Sequence, residues 1–260
     1  MDIYWYGQSC FKIKGKSATV FIDPFDPDKF GLKLPKDVDS DLVLSTHDHP
    51  DHNNFSAISG EPLRVSGPGE YEKSGVSVLG VGTYHDETKG AERGRNTVFN
   101  LMIDGINVVH LGDLGHMLDE VQVSEIGNVD ILLLPVGGVY TIDGEVAAKV
   151  VAQLEPKIVV PMHYNRFAKT PGFDTGDEGE ERFQDSAALS GEALESPKYK
   201  KTADSQSTEA YKLPELKAEI EGVEKFLKAM GAESIPAVPK LSITKDKLPE
   251  ETQVVVLSKS

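Results

Sequence analysis

Along the first 170 residues, apolar positions come in short runs separated by turn residues. Residues 3–6, 10–13 and 18–22 predict an N-terminal meander with Gly7 and Gly15-Lys16 at its turns. Residues 41–45 and 76–81 read as further strands. The clearest hairpin joins residues 97–103 to 106–111 through Asp104-Gly105, a pair suited to a two-residue type I′ turn. Residues 130–135 and 157–161 are two more apolar runs of strand length. Between them Asp143 can cap a helix reaching about Leu154, with Val146, Val150 and Leu154 on one face. Strands come first and then alternate with helices, the pattern of a layered α/β fold.

The pattern fails over residues 173–211. That stretch has ten acidic and four basic residues and lacks Val, Ile, Trp and His. It predicts a polar, acidic insertion that is dispensable for folding, with a lid or partner-binding segment as the functional alternative. Periodicity then returns. Pro214 can open a helix with Leu216, Ile220, Val223, Leu227 and Met230 on one stripe, and Gly231 can end it. Residues 241–244 and 254–257 predict closing strands. We expect one domain over residues 1–260, interrupted by the insertion.

Composition narrows the picture. Of the 260 residues, 39% are hydrophobic and 27% charged, ordinary for a globular chain able to bury its own core. The lone cysteine, Cys10, excludes an intrachain disulfide, and with no signal-peptide pattern at the N-terminus it points to the cytoplasm. No apolar run has membrane-spanning length. The net charge of −15 repels polyanions, which disfavours nucleic acid and anionic membrane as bulk partners without excluding a local basic patch. A small-molecule substrate fits better.

The chemistry concentrates in His47-Asp48-His49-Pro50-Asp51-His52, directly after an apolar strand. Imidazoles and carboxylates are the usual ligands of zinc and similar divalent ions. His47 and His49, two apart, can grip one ion, and Asp51 and His52, past Pro50, a second. His85, Asp113 and His163 each stand where a strand gives way to a loop. His110 is in phase with Ile106 and Val108 and reads as buried. His116, past a glycine-flanked turn, reads as either an acid or oxyanion contact or a structural hydrogen-bonder. Asp86 reads as an orienting partner of His85 or a surface carboxylate, Cys10 as core, Gly67-Pro68-Gly69 as a turn, and Gly137-Gly138 as a turn or a place where backbone approaches a ligand.

His47-x-His49-x-Asp51-His52, followed in order by His85, Asp113 and His163, resembles the metallo-β-lactamase superfamily of metal-dependent hydrolases, near its small bacterial and archaeal, ascorbate-phosphate-lactonase-like branch. The match covers about residues 1–170. The resemblance implies an αββα sandwich. It implies a dinuclear site in which His47, His49 and His85 hold one ion, Asp51, His52 and His163 hold the other, and Asp113 bridges them. Asp23 matches an early aspartate that supports the metal loop from behind. The implied cofactors are two divalent ions, zinc first, with manganese or iron as alternatives. The implied chemistry is attack by a water acidified between them, with Asp51 or Asp113 passing the proton and His116 as a further catalytic candidate.

His49 stands where the diiron flavoprotein branch has glutamate, and Asp113 stands where true metallo-β-lactamases usually place cysteine or serine. The short interval from Asp113 to His163 leaves no room for the large inserted domain of the nucleic-acid-processing branch. Hydrolysis of a small lactone or phosphodiester is the reading. Nuclease or weak β-lactamase activity at the same site, or a non-catalytic metal-binding scaffold, are the alternatives.

Overall fold

The computed structural model describes residues 1–35, 38–165, 220–232 and 234–260. The N-terminal meander is β1 (Asp2–Gly7), β2 (Cys10–Lys14) and β3 (Thr19–Ile22). A crossover holding the one-turn helix α1 (Pro27–Phe30) leads to β4 (Leu42–Ser45), parallel to β3. β5 (Leu63–Ser66) pairs with β4, and the Gly67-Pro68 turn then carries the chain into the second sheet. There β6 (Gly69–Lys73), β7 (Val76–Tyr84), β8 (Arg95–Ile103) and β9 (Ile106–His110) form an antiparallel meander. Asp104 and Gly105 have φ of 53° and 77°, the two positive values the predicted hairpin turn requires.

From β9 onward the pairing is parallel, and each join needs a crossover, supplied here by a helix. α2 (Glu120–Ile126) leads to β10 (Ile131–Pro135), and α3 (Gly144–Leu154) leads to β11 (Ile158–Met162). α4 (Glu224–Ala229) follows, then β12 (Leu241–Ser242) on the edge of the first sheet and β13 (Gln253–Val254) on the edge of the second. The chain's last strands thus close both sheets.

The two sheets face each other over one apolar layer that includes Ile3, Phe11, Ile22 and Leu44 from the first and Phe99, Leu101, Val108 and Leu133 from the second. The outer face of the second sheet is covered by α2, α3 and α4 through Ile126, Val150, Leu154, Phe226 and Leu227. The outer face of the first is covered by α1 and irregular chain, with Phe21, Phe25, Val38 and Ile58 buried there. The result is an αββα sandwich whose first helical layer is thin.

The C-terminal helix differs from the sequence expectation. The predicted start at Pro214 lies outside the described residues, as does the 173–211 segment. Ile220 to Gly222 are not helical, so one helix does not run to Met230. The backbone of Glu221 is used elsewhere: its N–H donates to Gly137 O (2.8 Å) and its carbonyl accepts from Asn165 N (2.9 Å). α4 therefore starts only after Val223. It packs so closely on α3 that a Cβ at Gly144 would come within 2.5 Å of Phe226 N.

Candidate metal centre

β7, β9 and β11 run in the same direction, so His85, Asp113 and His163 emerge from one edge of the second sheet. The 46–52 loop leaves β4 toward the same place, and Thr97 N–H donates to Thr46 O across the two sheets (2.9 Å). All seven side chains of the sequence-based ligand set come together. Three groups have ligand atoms within 4.8 Å of one another: His47, His49 and His85; His47, His52 and Asp113; and Asp51, His52 and His163.

The loops that deliver these side chains are held by buried polar contacts. Asp23 accepts from Thr46 N (2.8 Å) on one oxygen and from Thr46 Oγ1 (2.8 Å) on the other, which also lies 2.9 Å from His52 Nδ1. This orients the His52 ring so that Nε2 faces the cluster. Asn96 Oδ1 accepts from Asp113 N, while its amide donates to Thr83 Oγ1 and Leu111 O. Gly112 has φ of 56°, and a Cβ there would meet Asn96 Oδ1 and Thr46, so only glycine fits this turn. Gly115 packs against the His85–Asp86 backbone with room for no side chain. Gly137, expected as part of a plain turn, abuts the His163 carbonyl.

The structure gives definite places to four groups: His110 and Cys10 are buried as the sequence suggests, His116 takes the structural of its two readings, and Asp86 takes neither of its two. His110 is fully buried. Its Nε2 donates to Ser9 O (2.8 Å) and its Nδ1 accepts from Gly112 N (3.0 Å). His116 Nδ1 donates to Met117 O (2.7 Å), and Nε2 accepts from Tyr84 N (3.1 Å). Both ring nitrogens of His116 are thus held by backbone, which leaves none to serve as acid or oxyanion donor in this conformation. Asp86 touches neither His85 nor bulk solvent. It is buried and accepts from Thr88 N and Oγ1, Gly90 N, Glu92 N and Arg93 N, so it organises the loop after His85. Cys10 is buried in the layer behind β2.

Sequence reasoning missed Ser9 and Asn96. Ser9 Oγ donates to Asp113 Oδ1 (2.9 Å) and is fully buried. Neither residue is a typical ligand, and their partners lie too far along the chain for spacing to reveal them.

The electrostatics are those of a cation site. His52, His85 and His163 each place Nε2 3.3 Å from Asp113 Oδ2. Atoms bound about 2.0–2.1 Å from one tetrahedral zinc lie roughly 3.3–3.4 Å apart, the same spacing. His47 Nε2 is buried without a hydrogen-bond partner, a costly state that a bound cation relieves. Burial and neighbouring His52 hold His47 well below the ordinary histidine pKa, and burial with His85 lowers His49. Burial also pushes His52 down, but Asp113, Asp51 and Asp23 outweigh it and set it well above the ordinary value. His163 is raised in the same way, burial being overcome by Asp113. Burial would raise Asp113, yet His163 and His52 hold it well below the carboxylate range. The donor set fits divalent metal.

Facing mixed sheets with such a His/Asp cluster at the strand ends define the metallo-β-lactamase class of metal-dependent hydrolases. The model of the beta-lactamase superfamily domain matches residues 2–163, and the chain belongs to that family. It is similar to the UPF0173 metal-dependent hydrolase Ta0764 of Thermoplasma acidophilum, 30% identical over 190 residues that cover 64% of this chain and 84% of that one. The UPF0173 metal-dependent hydrolase PYRAB05000 of Pyrococcus abyssi is 32% identical over 195 residues, covering 64% and 85%. Among solved structures, a Thermotoga maritima protein assigned as a Zn-dependent hydrolase of the metallo-beta-lactamase superfamily is 30% identical, with a TM-score of 0.67 over 98% of this chain and 97% of that one. The protein is a metal-dependent hydrolase of this superfamily. No helix among the described residues is long and apolar enough to cross a membrane.

Proposed function

We propose that the protein uses two divalent ions, zinc in the first instance, to hydrolyse a small ester-like substrate, a lactone or a phosphodiester, in the cytoplasm. The observation that carries this reading is the sharing of one ligand set between two groups. His47, His49 and His85 form one triad and Asp51, His52 and His163 another, with Asp113 beside both. Ions bound there supply Lewis acidity for the scissile carbonyl or phosphoryl group and acidify water.

The chain's own residues do the rest. His47 and His49, depressed in pKa, stand ready as neutral ligands. Asp113, 3% exposed at its side chain, is a fixed ligand, whereas Asp51 keeps 20% of its side chain open. Asp51 is therefore the better placed of the two to pass a proton to a departing group. Asp23 holds His52 in one tautomer, and His116 supports the end of β7.

The test joins metal analysis to a substrate panel. Protein purified without chelators is assayed for bound metal, then offered chromogenic lactones, esters, phosphodiesters, a cephalosporin and labelled RNA. About two ions per chain with turnover of a lactone or phosphodiester supports the reading. One ion or none after zinc and manganese are added, or turnover of the cephalosporin or RNA alone, overturns it.

A further inference from the structure

The turn between β1 and β2 belongs to the first sheet, yet it reaches across to the second sheet at three points. Gln8 O accepts from His163 N (3.1 Å), Ser9 O accepts from His110 Nε2 (2.8 Å), and Ser9 Oγ donates to Asp113 Oδ1 (2.9 Å). Trp5 Nε1 also donates to Gln8 O (2.9 Å) and braces the turn from its own strand. The backbone is bent to make these contacts. Gln8 has φ of 48°, outside the comfortable range of a residue with a side chain, and Gly7 has φ of 104°. His163, the residue it receives, is itself at 52°. Positive φ at non-glycine residues persists where the surroundings hold it in place, and it gathers at functional sites.

We infer that the Gly7–Gln8–Ser9 turn is the positioning device of the metal centre, and that the Ser9 hydroxyl decides whether the second ion binds. The inference rests on the two-ion reading. Ser9 closes a ring of hydrogen bonds: its hydroxyl holds Asp113 Oδ1, its carbonyl holds His110 Nε2, and His110 Nδ1 takes the N–H of Gly112, the residue before Asp113. With Oδ1 held by the hydroxyl, the carboxylate turns Oδ2 to the cluster, 3.3 Å from His52, His85 and His163 alike. Without the hydroxyl, the Asp113 carboxylate is free to turn and give both oxygens to one ion. Asp113 Oδ2 lies beside two of the three residues that would hold the second ion, His52 and His163, and beside only one of those that would hold the first, His85, so the second ion leans on this oxygen more than the first does. Among the residues of the cluster Ser9 hydrogen-bonds Asp113, so it acts on the ions through that carboxylate.

The experiment titrates Zn2+, and separately Mn2+, into chelator-stripped full-length protein, wild type and Ser9→Ala, and fits two binding steps. Loss of a group that orients a ligand typically weakens metal binding about ten- to a hundredfold. The expectation is a loss of that size in the second step only, with the first step unchanged. A role in folding alone would lower the metal-free midpoint and move both steps together, which overturns the inference. So does two-step binding at wild-type affinity. Ser9→Gly, which also removes the hydroxyl and brings no new metal ligand, serves as the second variant if the alanine protein does not fold, and it is read by the same criteria. A wild-type protein that binds a single ion rejects the two-ion reading itself. A wild type with two ions and an indifferent Ser9→Ala rejects only the role of Ser9.

Discussion

Asp86 accepts five hydrogen bonds, four of them from backbone N–H groups, and so fixes the loop between His85 and β8. Burial alone would raise its carboxyl pKa, but the donors from Arg93, Thr88, Gly90 and Glu92 prevail and hold it far below the carboxylate range. A depressed folded pKa contributes stability that is full above the unfolded value of about 3.9 and lost as pH falls through the folded value. Asp86→Ala leaves buried N–H groups without an acceptor. At neutral pH it should cost roughly 2–3 kcal/mol in denaturant melts, and the gap from wild type should narrow below about pH 4. An unchanged gap at acid pH would show that the charge of Asp86 contributes nothing. His116 supports a second expectation at this scale. With both ring nitrogens bound to backbone, His116→Ala should lower the thermal midpoint while leaving the shape of the kcat–pH profile intact. Disappearance of one limb of that profile in the variant would return His116 to the proton-transfer chemistry.

The elements that place the site were legible to different degrees. Strands whose apolar runs end in Gly, Asp-Gly or a polar cluster were visible from periodicity alone, as was α3 with its Asp143 cap, which accepts from Glu145 N and Val146 N. α2 was not predicted, although Asp119 and Gln122 form a capping box that the spacing D-x-x-Q announces. It is only seven residues long, and its periodic signal was too short to stand out. β5 and β6 were missed because their exposed alternate positions, such as Arg64, Glu70 and Glu72, dilute the apolar pattern of edge strands. α4 was overextended because its apolar stripe continues into residues 220–223, where the chain bonds to Gly137 and Asn165 instead. Two substitutions test the helical layer. Phe226→Ala empties a fully buried site against α3 and should cost about 3–5 kcal/mol, measured by chemical denaturation. Asp119→Ala removes the α2 cap and should cost about 1 kcal/mol. Equal costs for the two would mean that α4 packs far more loosely on α3 than its burial implies.

At the scale of the whole molecule, the His/Asp cluster was legible because metal chemistry restricts residue type and because its members stand at strand ends, whereas the Ser9 and Asn96 supports were hidden because any polar residue at any sequence distance can supply such a bond. The assembled site couples metal, protons and folding. His52 and His163 have folded pKa values raised by the carboxylates around them, so the stability they lend the metal-free protein is present below the ordinary histidine value and lost as pH rises through their raised values. His47 and His49 are lowered, so their contribution runs the other way: stability falls as pH drops from the ordinary histidine value toward their folded values. Metal-free, the site should therefore favour the fold most near the ordinary histidine pKa of about 6.5. A metal ion needs every imidazole neutral, so binding must expel the protons that His52 and His163 retain. Binding at pH 6 works against those protons, and at pH 8 it works against fewer. The rise in thermal midpoint on adding excess Zn2+ to chelator-stripped protein should thus be larger at pH 8 than at pH 6, and calorimetric titration in two buffers of different ionisation enthalpy should register proton release. An equal rise at both pH values, with no buffer dependence, would mean that His52 and His163 are already neutral before the metal arrives and that Asp113 does not hold their protons.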